Sequence, residues 1–309
     1  MEKKNIPMIE RYRGCLLGLA VGDALGTALE FKAPGSFNPI SDMVGGGPFH
    51  LKPGEWTDDT AMALCLAESL IECRGFNPQD QMKRYVRWWR KGHLSCRGEC
   101  FDIGNTTRAA LERFEATGNP FSGSSDFTQS GNGSLMRLAP VPLFYEEYPE
   151  EAIEKCGESS KTTHASTIAL DACRYFGGLI IGALRGETKE SLLSAFYSPA
   201  PGSWTASPPH RVVATIAAGS FKNADPPEIR GTGFVADALE AALWAFHNSK
   251  TFAKGCLMAV NLGDDADTTG AIYGQLAGAY YGAEAIPLSW TDKLAKRDLI
   301  VQMAEGLMR

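Results

Sequence analysis

Apolar residues recur every three to four positions along most of the chain, and no series of short alternating runs indicates a β-sheet. This spacing places the apolar side chains on one face of a helix. The pattern therefore predicts an all-α protein. The predicted helices cover residues 9–29, 59–73, 78–91, 105–117, 149–160, 165–185, 188–197, 234–249, 251–261, 268–282 and 290–307.

Three stretches rich in Pro, Gly and Ser interrupt the helical pattern, at residues 33–56, 118–134 and 198–210. A chain of 309 residues has room for one or two domains. None of the three stretches resembles an interdomain linker, so we expect a single compact domain. Loops of this length within a compact domain often serve a function rather than only connecting helices.

Glycine recurs at every fourth residue in two predicted helices, first at 14, 18, 22 and 26 and again at 270, 274, 278 and 282. On a helix this spacing leaves one face without side chains, which lets a second helix approach closely. Each interior glycine costs about 0.5–1 kcal/mol relative to alanine, so eight of them indicate that close approach is needed. We expect two core helices in tight contact.

The composition is that of a globular protein that needs neither a membrane nor nucleic acid. Lys+Arg 30 against Asp+Glu 36 gives a net charge of −6, and no basic cluster is long enough to follow a phosphate backbone. No stretch approaches the roughly 20 apolar residues of a membrane span. The apolar run 15–22 is broken by Asp23 and lacks a cleavage site, which argues against a signal peptide. We expect a cytoplasmic monomer.

The cysteine pattern favours reduced thiols over disulfides. The eight cysteines are even in number, but several lie inside apolar helical patterns, as Cys65 does in Ala-Leu-Cys-Leu. Buried thiols of a cytosolic protein explain that placement better than disulfides. His93, Cys96 and Cys100 come nearest to a thiol metal site, but they lack the paired spacing of zinc ligands and are interpreted as incidental loop residues.

Two short acidic clusters, about two hundred positions apart, carry the candidate chemistry. The first is WTDDT at residues 56–60, directly before an apolar predicted helix, and the second is GDDADTTG at residues 263–270, directly before a glycine-spaced one. Each cluster alone could simply begin a helix, because Thr and Asp are preferred N-caps and acids suit the helix dipole. Capping explains the position of these acids but not their number.

Adjacent carboxylates repel one another, and carboxylates beside hydroxyls are the hard oxygen ligands that Mg²⁺ and Mn²⁺ prefer. If the two helix starts meet in the fold, they could surround two cations. The candidate ligands are Thr57, Asp58, Asp59, Asp265, Asp267 and Thr268.

The chain resembles the ADP-ribosylglycohydrolase family, and in particular its bacterial branch typified by dinitrogenase reductase-activating glycohydrolase. The order WTDDT then GDDADTTGAIYGQ is the most specific part of this resemblance, which extends over nearly the whole chain. It implies a compact all-α domain over residues 1–309 with a binuclear Mg²⁺ or Mn²⁺ centre, and the same six ligands. The other matching segments are RGCLLGLAVGDALGTALEF, FDIGNTTRAAL, GNGSLMRLAPV, THAS and GTGFVADALEAALWAF.

The resemblance also implies substrate and catalytic contacts. Glu30 matches an acidic residue near the metals, and Asp102 matches a carboxylate near the leaving group; a surface or capping acid is the alternative for each. His164 matches a ribose or phosphate contact, with helix capping as the alternative, and Phe234 matches a residue that stacks on adenine, with a core aromatic as the alternative. A turn before a predicted helix would hold the diphosphate through its backbone amides. This turn is Ser130, Gly131, Asn132, Gly133 and Ser134.

The implied activity is metal-dependent hydrolysis of the bond between ADP-ribose and a protein side chain, with arginine linkage favoured by DIGNTTR. Serine-linked or poly-ADP-ribose is the alternative substrate. Phosphoester hydrolysis, ADP-ribose binding without turnover and a structural role, as in lens crystallins of this fold, are alternatives of other classes. All six metal ligands are present, which favours catalysis.

Overall fold

The structure, a computed structural model, describes residues 6–308. These residues form helices and loops without a β-strand, and β-type pairing between them is limited to three isolated bridges. The all-α prediction is therefore confirmed. The α-helices are α1 Met8–Gly26, α2 Asp58–Cys73, α3 Pro78–Lys91, α4 Asn105–Thr117, α5 Pro140–Phe144, α6 Pro149–Lys161, α7 Thr167–Leu184, α8 Lys189–Leu192, α9 Ser203–Ala206, α10 Arg211–Ala217, α11 Val235–Asn248, α12 Phe252–Val260, α13 Ala266–Tyr281, α14 Leu288–Thr291 and α15 Arg297–Gly306.

Several helix boundaries differ from the predicted ones. Helix α1 ends at Gly26, so Glu30 lies in the turns that follow rather than at the end of the helix. The single helix predicted over 290–307 is two helices, because the chain turns at 292–296, where Lys296 adopts a left-handed conformation with φ 54°. Helices α5, α9 and α10 were not predicted, and the helix predicted over 188–197 shrinks to the four residues of α8.

Helices α1 and α13 run antiparallel in direct backbone contact, as the glycine spacing predicts. A Cβ atom built on Gly18 would lie 2.2 Å from the carbonyl oxygen of Gly274, and one built on Gly274 would lie 1.9 Å from that of Gly18. Gly14 faces Gly278 and Gly22 faces Gly270 in the same way. Only glycine permits this approach, so the spacing of the two helices is set by their backbones.

The segment around α1 also holds both ends of α13. Near the start of α1, the buried Arg11 donates to the carbonyl oxygens of Ala279 and Tyr280 in the last turn of α13. Beyond the other end of α1, the Glu30 carboxylate accepts hydrogen bonds from the amides of Ala266 and Asp267 in the first turn of α13. A cation at the carboxyl end and an anion at the amino end both complement the helix dipole.

Helix α7 packs against α6, α11 and α13 in the hydrophobic core. It is long and apolar enough to cross a membrane by length and composition, but 83% of that stretch is buried inside the protein. We therefore assign α7 as a core helix of the bundle.

Candidate metal centre and active-site cleft

The starts of α2 and α13 meet, which brings the two acidic clusters together. The hydroxyl of Thr57 lies 3.1 Å from Asp59 Oδ2 and 3.3 Å from Asp267 Oδ2. The hydroxyl of Thr268 lies 3.4 Å from Asp59 Oδ2. Residues separated by more than two hundred positions in sequence therefore share one buried site, as the metal prediction requires.

Other acids cap these two helices. Asp23 accepts hydrogen bonds from the amides of Thr57 and Thr60 at the start of α2, just as Glu30 does for α13. Thr57 and Asp265 occupy the N-cap positions of the two helices, but neither side chain makes a capping hydrogen bond. Side-chain capping at these two N-cap positions therefore does not account for the acidic clusters.

The carboxylates form two overlapping groups that could each hold a cation. Oxygen atoms of Asp23, Asp59 and Asp267 lie within 4.8 Å of one another, and so do oxygen atoms of Glu30, Asp265 and Asp267. Asp267 belongs to both groups and could bridge them. In addition, Asp59 Oδ1 is buried without a hydrogen-bond partner, and a buried carboxylate oxygen without a partner is costly. Crowded carboxylates, hydroxyls and this unpartnered oxygen fit hard divalent cations.

Burial dominates the electrostatics of the cluster. It raises the pKa values of Asp58 and Asp59 well above the ordinary range, and neighbouring carboxylates, Asp102 and Asp23 first among them, raise them further. Burial, and then the charge of Asp267, also raises the pKa of Glu30. These carboxyl groups therefore resist ionising together unless positive charge enters the site.

The pKa values of three further acids are raised as well. Burial raises the pKa of Asp23 to about 7 despite its four hydrogen bonds from Thr57 and Thr60. Burial raises the pKa of Asp265 to about 7 and that of Asp102 to about 9, and Asp267 is the largest neighbouring charge for both. A group so raised near neutral pH is a candidate for proton transfer.

A cleft of about 260 Å³ opens over this cluster. Glu30, Asp58, Asp265 and Asp267 are among the acids on its wall, together with Asp102 from the loop between α3 and α4. Asp102 adopts a left-handed backbone with φ 59°, which is uncommon outside glycine. Further lining residues come from four other segments of the chain. These residues are Gly104, Asn105, Thr106, Thr107, Gly131, Asn132, Gly133, Met136, His164 and Gly233.

The predicted diphosphate turn divides between cleft and core. Gly131, Asn132 and Gly133 line the cleft, whereas the side chains of Ser130 and Ser134 are buried and their hydroxyls hydrogen-bond other core hydroxyls. The backbone N–H of Asn132 donates to the Gly233 carbonyl oxygen and is not free for a ligand. The helix expected directly after this turn is absent; further turns follow, and α5 begins only at Pro140.

Asn132 links the turn to the metal candidates. Its side-chain amide donates to Asp265 Oδ2 at 2.8 Å. The predicted substrate residue Asn132 therefore orients a predicted ligand, Asp265. This hydrogen bond joins residues 133 positions apart.

The two remaining predicted contacts, His164 and Phe234, lie on either side of the turn. His164 is buried with its ring against Gly133, and burial lowers its pKa to about 3, so the imidazole is neutral at physiological pH. Phe234 is 36% exposed at the N-cap of α11 and pairs with Gly131 through a backbone bridge. Adenine stacking on Phe234 stays a prediction.

Asp23 belongs to one of the two carboxylate groups but is not among the residues that the sequence predicts for the site. A lone acid inside an apolar, glycine-spaced helix was the available signal. The His93, Cys96 and Cys100 group does not converge: His93 Nε2 lies 2.7 Å from a Glu68 oxygen, whereas the Cys96 thiol donates to the Trp56 carbonyl.

Comparison with known proteins agrees with the resemblance seen in the sequence. A protein of Serratia proteamaculans (strain 568) called ADP-ribosylarginine hydrolase Tri1 is 41% identical over 299 residues, covering 97% of this chain and 79% of that protein. The ADP-ribosyl-[dinitrogen reductase] glycohydrolase of Rhodospirillum rubrum is 30% identical over 289 residues, covering 92% and 90%.

A solved structure described as an ADP-ribosylglycohydrolase-related protein complex superimposes with a TM-score of 0.85 and 45% identity, covering 97% of each chain. The family model described as ADP-ribosylglycohydrolase matches residues 4–309, which is nearly the whole sequence. With the helical fold and the paired acidic helix starts, these matches show that the chain belongs to the ADP-ribosylglycohydrolase family.

Proposed function

We propose that this enzyme removes ADP-ribose from arginine side chains of modified proteins, using two Mg²⁺ or Mn²⁺ ions. The observation that carries the proposal is the meeting of the two acidic helix starts beneath a cleft with Asp102 on its wall. The relatives named ADP-ribosylarginine hydrolase, at 41% and 42% identity, support the arginine linkage.

The cations would be held by the six predicted ligands, of which Asp59, Asp265 and Asp267 belong to the two carboxylate groups. Asp58 belongs to neither group but lines the cleft, and the Asp23 carboxylate fixes the position of Thr57 by accepting its hydrogen bonds. When bound, they supply Lewis acidity, sites for ribose hydroxyls and a more acidic water. The ligands are Thr57, Asp58, Asp59, Asp265, Asp267 and Thr268.

In the reaction, the bond between the anomeric carbon of the ribose and the arginine nitrogen breaks, and a water oxygen adds to that carbon. The leaving guanidine nitrogen needs a proton, and Asp102, whose pKa burial raises to about 9, is placed to donate it. Glu30 lines the same cleft, and only one of its oxygens is engaged by the α13 amides. In its ionised form, which the positive charge of the cations would favour, Glu30 would accept the proton of the attacking water. The products are ADP-ribose and unmodified arginine.

The test is product release from arginine-, serine- and poly-ADP-ribosylated substrates, with Mg²⁺, Mn²⁺ or chelator. We expect ADP-ribose from the arginine-linked substrate, only with metal present. AMP as the product would identify a phosphohydrolase, binding without release would identify a non-catalytic binder, and faster release from serine would refute the linkage.

Neighbouring acids provide a matched pair of variants for this test. Asp265→Asn should abolish metal-dependent release, because Asp265 belongs to one of the carboxylate groups. Asp264→Asn should leave release unchanged, because the hydrogen bonds that hold residue 264 run through its backbone. Its amide donates to the Lys32 carbonyl, and its carbonyl accepts from the Phe31 amide. Asn also tolerates the left-handed conformation of residue 264, at φ 54°. Equal losses in both variants would contradict the ligand assignment.

We also propose a cytoplasmic location. All eight cysteines are free thiols, and five of them are buried in the core. Unpaired thiols of this kind are typical of reducing compartments. Activity in the cytosolic fraction of the source cell, and its absence from secreted fractions, is the measurement that checks this.

A further inference from the structure

A buried arginine lies behind the cleft wall. The Arg137 side chain is wholly buried, and its guanidinium stands 4.7 Å from the centre of the Tyr85 ring. In the described part of the chain its hydrogen-bond partners are the hydroxyls of Ser159, Thr162 and Thr163 and one carbonyl oxygen, rather than a carboxylate. The Arg137 Nε has no partner. A buried cation without an anion is costly, which calls for an explanation.

A chain of two hydrogen bonds runs from Arg137 through the Thr163 hydroxyl to the His164 ring, which lines the cleft. Arginine can only donate, so Thr163 Oγ1, 2.8 Å from Arg137 Nη2, is the acceptor of that bond. The hydroxyl proton of Thr163 then points to His164 Nδ1, which is 2.9 Å away. Among the described residues, Nδ1 is the one hydrogen-bond partner of Thr163 Oγ1 that can accept its proton, since Arg137 only donates. With the proton directed to Nδ1, the single hydrogen of the neutral imidazole resides on Nε2.

The Nε2 side of the ring faces the predicted diphosphate turn. A Cβ atom built on Gly131 would lie 3.4 Å from His164 Nε2, and one on Gly133 would lie 2.8 Å from its Cε1. Glycine at position 133 therefore lets the ring edge approach the turn and the cleft that it lines, whereas the contact at Gly131 is an ordinary van der Waals distance. The Ser160 hydroxyl holds the His164 carbonyl oxygen at 2.7 Å and fixes the backbone from the other side.

We propose that Arg137 and Thr163 are positioning residues that hold His164 as an Nε2–H donor towards an anionic oxygen of the ligand in the cleft. The buried charge of Arg137 favours an anion on this wall and disfavours a second positive charge on the imidazole. The diphosphate of ADP-ribose is the anionic group concerned, and that identification rests on the proposed function. The tautomer of His164 does not depend on it.

The first test reads the tautomer directly in the ligand-free protein. Long-range ¹H–¹⁵N correlation spectra, with His164 assigned by its loss in His164→Gln, should show a protonated Nε2 and an unprotonated Nδ1. Thr163→Val removes the hydroxyl at nearly constant shape and should give a mixture of tautomers, whereas Thr163→Ser should restore the wild-type spectrum. A protonated Nδ1 in the wild type, or an unchanged tautomer in Thr163→Val, overturns the proposal.

A neighbouring hydroxyl provides the matched control. Thr162 Oγ1 lies 3.4 Å from the same Arg137 nitrogen and is buried like Thr163, but it has no bond to the imidazole. Thr162→Val should therefore leave the tautomer of His164 unchanged. The same change in both valine variants would indicate general loosening around Arg137 and refute a specific role for Thr163.

The second test measures ligand affinity in the metal-loaded protein. Thr163→Val should weaken ADP-ribose about tenfold, the effect of one hydrogen bond to a charged group. Affinity for adenosine, which has no phosphate, should stay as in the wild type, and Thr163→Ser should recover ADP-ribose binding. Parallel losses for both ligands refute the phosphate contact. If the wild type does not bind ADP-ribose, the proposed function fails, while the tautomer spectra still decide the role of Arg137 and Thr163.

Discussion

Replacing Gly270 by alanine tests whether the contact between α1 and α13 holds the carboxylate cluster together. Gly270 lies one turn after Asp267. A Cβ atom built on Gly270 would lie 2.4 Å from the carbonyl oxygen of Gly22. A real Cβ essentially never approaches closer than 3.0 Å, so the helices must part by at least about 0.6 Å there. That displacement separates Asp23 on α1 from Asp267 on α13.

Two opposing free energies set the expected loss of stability. Overpacking costs about 1–3 kcal/mol, and alanine recovers up to about 1 kcal/mol of helix propensity. The net destabilisation is about 1–2 kcal/mol, or a few degrees in Tm for a protein of this size. The catalytic loss should be larger, about tenfold or more in kcat/KM, because a misplacement of about 1 Å can cost about a hundredfold.

Gly278→Ala provides the comparison, because Gly278 makes the same kind of contact near the opposite end of α13. A Cβ atom built on Gly278 would lie 1.9 Å from the carbonyl oxygen of Gly14. At about 1.5 Å per residue, Gly278 is roughly 16 Å along the helix from Asp267. This variant should lose at least as much Tm as Gly270→Ala but retain more activity and metal affinity. Gly157→Ala in α6 is the control, since its Cβ would meet the flexible Arg174 side chain at 3.1 Å and the Leu170 carbonyl oxygen only at an ordinary 3.9 Å.

The assays are thermal unfolding, Mn²⁺ titration and release of ADP-ribose from an arginine-linked peptide. Wild-type activity in Gly270→Ala would refute the positioning role of the helix contact. An activity loss that merely follows the loss of Tm across both variants would refute it as well.

Three further outcomes are expected. Asp58→Ala and Asp267→Ala should each abolish turnover and leave the helical circular dichroism intact, and the double variant should lose no more than either single one, because the ligands act as a unit. Asp102→Ala should slow single-turnover release from an arginine-linked peptide about 10²-fold, the range of a positioned acid, and barely change ADP-ribose binding. Equal losses on a serine-linked peptide would contradict a role of Asp102 that is specific to the arginine leaving group. Burial raises the pKa of Asp265 to about 7 and of Asp102 to about 9, so the folded protein binds protons at these groups more tightly than the unfolded chain does. The stability that these protons give the metal-free fold is present at acid pH and is lost as the pH rises through these values. Mg²⁺ should therefore raise Tm more at pH 8.5 than at pH 5.5, and a pH-independent increment would show that these carboxyl groups do not titrate with folding.

The sequence predicts the central helix pair because glycine spacing reports backbone contact directly. It does not predict α5, whose sequence Pro-Val-Pro-Leu-Phe carries two prolines in five residues. It also hides the break at Lys296, because apolar residues continue at helical spacing through the turn between α14 and α15. Local patterns thus fix helix existence better than helix ends, where capping and tertiary contacts decide.

In the site, the six candidate ligands are visible in sequence because each cluster is contiguous. Asp23 is not visible, because its partners Thr57 and Thr60 lie 34 and 37 positions away. Nor does sequence reveal that the Ser130 and Ser134 hydroxyls are turned into the core, since a Gly/Ser turn gives no sign of which way each side chain faces. Hydrogen bonds between distant segments carry this information.

The pairing of α1 with α13 has a consequence for how the protein is made. Helix α1 ends at residue 26 and α13 begins at residue 266, so a ribosome must add about 240 residues before the two helices can meet. At about 5–20 residues per second, the nascent α1 waits about 12–50 s with its glycine face uncovered. The carboxylate cluster therefore cannot assemble until synthesis is almost complete. A chain truncated before residue 263 lacks both the partner of its first helix and three of the six predicted metal ligands.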